Sequence, residues 1–498
     1  MALQFQKQKI HCLRNIVSRV QNLEQTQELR LPEGLPGVGQ IPGCWGQILI
    51  RSKEWSGDTV RLTGGVLIWL LYLPESEGDP ERLESWIPFQ MDFELPEGSR
   101  EGWIRAKTLL RSCDARPVSA GKILIRAGIG VQVQCWSPEE LVSFHPEGSD
   151  ETVELLTERW PVLLAKEAGE KSVALEDVLT LPGSVPKPEK LLYYRMTAEI
   201  TDKKVLGNKL VFRGAGKLHL LYQTADGQIA NWDVELPFSQ YAQLEDSYAP
   251  DARADLQMEV TALELSLDAD GGLQLHGNLT AQYLIADRQM LETAADAYSP
   301  VQDLKLQHTC LDLLALLEER QETIRAERKI PVSADRILDA AFLPDFPRQH
   351  QEGDNRMLEF PGMIQLLWQD REGQLQGSNQ RWEGNLSMKT DEKNHLLAVP
   401  GTAELQIQEM PEAVTVKAEL PALMQSSSGS GITMVTDAQP GENRSMPENR
   451  PSLILCRAGG RTLWELARMN GSRVSLIQEA NGLTGEPEAG RMLLIPVV

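Results

Sequence analysis

The chain has 498 residues, of which 41% are hydrophobic and 24% charged, and it carries a net charge of −22. A length of this order predicts about three or four globular domains at roughly 100–200 residues each. The acidic balance argues against a nucleic-acid binder, which needs a basic face to neutralise phosphates, and against general attraction to anionic lipid.

The opening stretch MALQFQKQKIHCLRNIVSRV has early Lys and Arg but no apolar core and no small-residue cleavage site, so no signal peptide is expected. No apolar run approaches the ~20 residues of a membrane span, so no transmembrane segment is expected. Six cysteines (Cys12, Cys44, Cys113, Cys135, Cys310, Cys456) are scattered without a CxxC pair and do not make a disulfide framework. These features together predict a reducing cytoplasm.

A pattern then recurs three times, predicting units at residues 8–140, 152–290 and 311–424. Each opens with an extended or amphipathic segment running to a proline-marked turn at Pro32, Pro182 or Pro331. VRLTGGVLIWLLY, KLVFRGAGKLHLLY and MLEFPGMIQLLW follow, with apolar residues at every second position: Ile68/Leu70/Tyr72, Leu218/Leu220/Tyr222 and Ile364/Leu366/Trp368. Trp69, His219 and Gln365 share one position on the face between, which is not kept. A period-2 apolar face beside a variable one predicts a strand packed on one side, whose variable face tolerates change. The closing aromatics lie 150 and then 146 residues apart, so the repeated unit is a domain.

An aromatic and a Pro-Phe pair come next, Trp86 with Pro88-Phe89 and Trp232 with Pro237-Phe238. The third unit keeps Trp382 but has Gly384-Asn385-Leu386, which makes it the most divergent copy. Each unit closes on a second strand pair, clearest around the Asp270-Gly271 turn. Such alternation with Gly and Pro turns predicts a mainly β fold of small sandwich-like or barrel-like units. LDLLALLEERQETIRAER (311–328) has helical spacing and predicts a helical connector. Residues 425–450, rich in Ser, Gly, Asn and Pro, read as a flexible linker.

The last 48 residues, 451–498, become compact again in the order β-α-α-β. Thr462 with Glu465 three residues on forms a capping box, and Asn481-Gly482 is a helix stop.

No catalytic constellation stands out. Gly214-Ala215-Gly216-Lys217 lacks the Ser or Thr and the helix of a phosphate loop and reads as strand glycines. The seven histidines contain no HExxH and no close ligand pair, so neither a metal nor another cofactor is expected. Adjacent carboxylates such as Glu139-Glu140 follow from composition and read as solvated. Trp69, Trp86, Trp232, Trp368 and Trp382 read as packing residues, while Trp464 is open between packing and an exposed binding face.

The tail resembles the LysM domain, a family that binds N-acetylglucosamine glycans such as peptidoglycan and sometimes protein. The resemblance rests on Gly460, Thr462, Leu463, Trp464, Ala467, Val474, Ile477, Asn481, Leu483, Gly490, Leu493, Ile495 and Pro496, with Arg461 where the family usually has aspartate. It implies a groove between Gly460, Arg461, Thr462 and Trp464 on one side and Asn481, Gly482, Leu483 and Thr484 on the other. The body resembles the SPOCS domain of clostridial spore-coat proteins through its Gly64 and Gly214 strand pairs, its Pro-Phe segments and its closing hairpins. Three copies followed by a LysM imply a non-catalytic coat scaffold of the mother-cell cytoplasm. Its tail would dock on a coat morphogenetic protein of the SpoIVA type at the forespore surface. The alternative it leaves open is a peptidoglycan-binding protein of wall or cortex.

Overall fold

The computed structural model describes residues 4–76, 78–147, 152–268, 271–353, 355–389, 394–443 and 451–498. It is mainly β. The first unit comprises β1 (Gln4–Arg30), β2 (Val38–Ser56), β3 (Thr59–Pro74), β4 (Glu81–Glu94), β5 (Trp103–Ser119) and β6 (Lys122–Glu147). They pair as two antiparallel sheets, β1-β6-β5 and β2-β3-β4, which share one apolar core. Period 2 is plain on β6, where Ile123, Ile125, Ala127, Ile129, Val131, Val133 and Cys135 are all buried.

The second unit follows the same plan with β7 (Glu154–Leu179), β8 (Pro188–Thr224), β9 (Ile229–Tyr248), β10 (Arg253–Leu267) and β11 (Leu273–Tyr298), in sheets β10-β11-β7 and β8-β9. Lys217 Nζ lies 2.6 Å from Glu199 Oε2 within β8. A straight strand would hold residues that far apart in sequence roughly 60 Å from each other. The chain therefore doubles back at Gly207 (φ 59°), and the halves of β8 correspond to β2 and β3. The β10–β11 hairpin closes through Asp268 N–H to Gly272 O at 2.8 Å, while Asp270 lies outside the described residues.

The third unit comprises β12 (Gln302–Ile330), β13 (Arg336–Pro344), β14 (Arg348–Glu352), β15 (Asn355–Gln369), β16 (Leu375–Lys389), β17 (Asn394–Pro400), β18 (Glu404–Met410) and β19 (Ala413–Asn443). β19 pairs with β12, β17 and β18, and β15 with β13, β14 and β16. Its divergence from the other units is compensated. Gly64 faces Phe89 across β3–β4 and Gly214 faces Phe238 across β8–β9, whereas the matching pair in the third unit is Phe360 with Gly384. Ring and hydrogen have exchanged strands, so the interior volume is kept.

Two expectations fail here. Residues 311–328 form strand, not a helical connector, because they lie along β19 from Leu311↔Ile432 to Arg328↔Val416. Ile324 and Ile330 fall on the buried face, and tertiary pairing overrides the helical spacing. Residues 425–443 are likewise strand and not linker, since they continue β19 against Gln302–Glu319. Their Ser and Gly content hid an alternation in which Ile432 and Met434 are buried. Residues 444–450 of the expected linker lie outside the described residues.

The long strands make three ribbons, β1/β6, β7/β11 and β12/β19, each reaching well past its unit. Their far halves pack together, with Ile10, Cys12 and Leu141, Val162, Leu164 and Leu291, and Leu311, Ile432 and Met434 in one apolar cluster. About a dozen residues at roughly 3.3 Å each make this shaft about 40 Å long. Each ribbon has a register shift in its first strand at the same level: Asn15/Val17, Ala165/Glu167 opposite Ala286/Ile285, and Leu316/Glu318. A bulge of this kind bends a strand, and here it marks where body becomes shaft.

The units also close on one another. The face expected to be variable and open is buried: Trp69, His219 and Gln365 are 0%, 9% and 6% exposed. Trp69 meets Tyr193 and Tyr194 of the second unit, with ring centroids 5.5 and 4.7 Å apart. His219 Nε2 lies 2.9 Å from Asp339 Oδ1 of the third. Gln365 Nε2 donates to the carbonyls of Cys44 and Cys113 of the first, at 3.0 and 3.2 Å. One repeat position thus links first to second, second to third and third to first. Two residues on, Leu71, Leu221 and Leu367 belong to one apolar cluster.

The tail comprises β20 (Leu453–Arg457), α1 (Leu463–Asn470), α2 (Val474–Asn481) and β21 (Met492–Pro496), with β20 antiparallel to β21. Leu463, Leu466, Ala467, Ile477, Leu493 and Ile495 form its core, which also takes in Tyr298 of β11.

Candidate functional site

The groove expected in the tail begins at Gly459 and Gly460, whose φ values of 60° and 79° need glycine. Arg461 is exposed beside them and donates its backbone N–H to Ala458 O at 3.0 Å. Thr462 caps α1: its hydroxyl accepts from Glu465 N–H at 3.2 Å, and its own N–H donates to Glu465 Oε2 at 2.9 Å. The following loop closes the other side. Glu486 Oε2 accepts from the N–H of Leu463 at 2.7 Å, the carboxylate lying at the positive end of α1. The turn 459–462 and the loop 482–486 are therefore neighbours, with Thr484 exposed and Leu483 half-buried.

Two expected groove residues have structural duties instead. Asn481 spends its carboxamide holding α2 to β21: Nδ2 donates to Ile477 O at 2.8 Å and Leu494 O at 2.6 Å, and Oδ1 accepts from Leu494 N–H at 2.8 Å. Gly482 (φ 61°) ends α2. Trp464 resolves in favour of packing. It meets Tyr298 edge-on at 4.7 Å, and its Nε1 donates to Asp296 Oδ2 at 3.1 Å.

Asp296 also binds Arg468, and the Tyr298 hydroxyl donates to Ser472 O at 2.9 Å. Burial, with Glu154 beside it, raises the Tyr298 hydroxyl pKa, keeping it a neutral donor. The tail thus sits against the tip of the shaft. Sequence reasoning missed Asp296 and Tyr298 because the second unit was expected to stop at residue 290. Burial of Thr293, Ala294 and Ala297 shows the strand continuing past that point, and residues this small carry no strong periodicity in the sequence.

The other concentrations of polar chemistry lie at the joints between units. His219 is held by Asp233 (Nδ1–Oδ1 2.7 Å) and by Asp339. Burial alone would lower its pKa, but the two carboxylates raise it to about 9, so it bridges as an imidazolium. Arg105 and Asp255 pair at 2.6 Å between the first two units, beside Lys107 and Glu259 at 2.7 Å. There the Gln282 carboxamide engages both backbone groups of Ala106, at 2.9 and 2.8 Å. Arg105, Lys107, Asp255, Glu259 and Gln282 thus join the first unit to the second, and His219 with Asp339 joins the second to the third. Gly214 lies in β8, where a Cβ would meet Glu199 O and the Phe238 ring, in keeping with a strand glycine. Among the described residues, no group of three or more His, Cys, Asp or Glu could hold a metal, and no helix is long and apolar enough to cross a membrane.

Residues 187–268 match the family model described as SipL, SPOCS domain. The match covers β8, β9 and β10 and associates this segment with the SPOCS-domain family and its sporulation and spore-coat theme. No curated protein and no solved structure matches the chain.

Proposed function

We propose that the chain is a SipL-like, non-catalytic scaffold of spore-coat assembly, held at the forespore surface by a LysM-like tail that docks on a coat morphogenetic protein of the SpoIVA type. The observation that carries this reading is the SPOCS match at residues 187–268, inside one of three units that share a strand order. On this reading the first and third units are SPOCS repeats as well. Polar clusters spent on joining units suit a rigid scaffold better than an enzyme. Trp464 supports a protein partner over a glycan: it is the tail's one aromatic, and a sugar platform would need the face that Tyr298 covers. Arg461 stands exposed at the turn and supplies a directional contact.

In sporulating cells a fluorescent fusion should coat the engulfing forespore, and the full chain should bind the coat partner but not purified peptidoglycan. Arg461→Asp should weaken that binding by about 1–3 kcal/mol, the scale of charge-assisted hydrogen bonds. Tight binding to peptidoglycan with no protein partner would establish the wall-binding alternative.

A further inference from the structure

Two cysteines of the first unit meet inside its core. Cys44 lies on β2 and Cys113 on β5, strands of different sheets, and their Sγ atoms are 3.2 Å apart. The third unit holds both backbones from outside. Gln365 Nε2 donates to the carbonyls of Cys44 and Cys113, and Asn379 Nδ2 donates to Cys113 O at 3.1 Å. The two residues are thus fixed side by side, and a side-chain shift of about 1 Å would bring the sulfurs to bonding distance.

We propose that Cys44 and Cys113 are a modification site, closed to a disulfide by a hydroperoxide, that ties the two sheets of the first unit together. Hydrogen peroxide is small and uncharged, and it meets Cys44 first, which is 8% exposed against 0% for Cys113. The Cys44 sulfur attacks one peroxide oxygen, the O–O bond breaks, and the departing oxygen leaves as water with the thiol proton. Cys113 Sγ then attacks the Cys44 sulfur of this sulfenic acid. The S–O bond breaks, and the hydroxyl leaves as a second water with the Cys113 proton. Two thiols and one peroxide become one disulfide and two waters. Burial, with the Cys113 thiol beside it, raises the Cys44 thiol well above its ordinary pKa, so the thiolate is scarce and the closure slow. Once closed, the bond spans 69 positions of the chain and constrains its unfolded state.

The test incubates the full chain with hydrogen peroxide, then denatures, alkylates and digests it for mass spectrometry. A linked pair of peptides carrying Cys44 and Cys113 is expected, lighter than their sum by two hydrogens and separated by dithiothreitol. The oxidised chain should melt several degrees higher, and dithiothreitol should reverse the shift, which it would not do for methionine sulfoxide. Cys44→Ala and Cys113→Ala should each abolish both link and shift, and in Cys113→Ala the Cys44 sulfenic acid should become trappable by dimedone. Cys310→Ser, at an exposed position, should leave link and shift unchanged. Full alkylation of Cys44 and Cys113 after peroxide, linkage of either to another cysteine, or a link that leaves the melting temperature where it was would each overturn the proposal.

Discussion

The strand ending at Tyr72, Tyr222 or Trp368 has two buried faces that were shaped differently. Ile68, Leu218 and Ile364 point into the core of their own unit, and all three copies keep them apolar. Trp69, His219 and Gln365 point at a neighbour, and each is fitted to a different one: two tyrosines, a buried aspartate, two backbone carbonyls. The face turned to its own unit stays apolar throughout, whereas the face turned to a neighbour keeps a leucine (Leu71, Leu221, Leu367) beside one position that differs in every copy. Variation along the strand marks a joint, not a solvent surface.

Phe360→Gly tests the kept face most severely. It should cost about 3–5 kcal/mol in denaturant unfolding, and adding Gly384→Phe should recover at least about 1 kcal/mol through coupling across the strand pair. Recovery below that would mean the ring and the glycine did not exchange as a pair. Leu220→Ala and Leu221→Ala should each cost about 2–5 kcal/mol although they point to opposite faces. A strand packed on one side would make the second nearly free. Hydrogen exchange should separate them further, with Leu221→Ala loosening amides in all three units.

His219 offers a reading by pH. Its pKa is about 9 when folded against an ordinary 6.5, so its stabilisation is complete below pH 6.5 and lost as pH rises through 9. The melting temperature should fall across that window by the equivalent of on the order of 2–3 kcal/mol, and His219→Gln should flatten the slope. The smallest effect belongs to Gln365→Leu, which strands the carbonyls of Cys44 and Cys113 and should cost about 1–2 kcal/mol in chemical denaturation.

The units were legible because period 2 survives in every copy, and the tail because Thr462, Glu465 and Gly482 act through contacts a few residues away. The ribbons were not. Met434 and Thr309 pair across more than a hundred residues, and the local cues at residues 311–328 and 425–443, leucine spacing in one and Ser-Gly content in the other, both mislead. His219 looked replaceable because its partner, Asp339, belongs to another unit. In the tail, Gly460, Arg461 and Thr462 lie at the turn before α1, whereas Asn481 ties α2 to β21 and Trp464 packs on Tyr298. Their roles depend on Leu494 and on Asp296, which no short motif specifies.

The shaft also sets how the molecule bears load. The tail is joined to the far end of β19 and rests on the far end of β11, so a pull on it enters along the strand axes. An antiparallel ladder loaded along its length shares the force over many hydrogen bonds at once, whereas one peeled from its end yields them singly. A body tethered through this tip would hold fast under a straight pull and give way most easily to a sideways one.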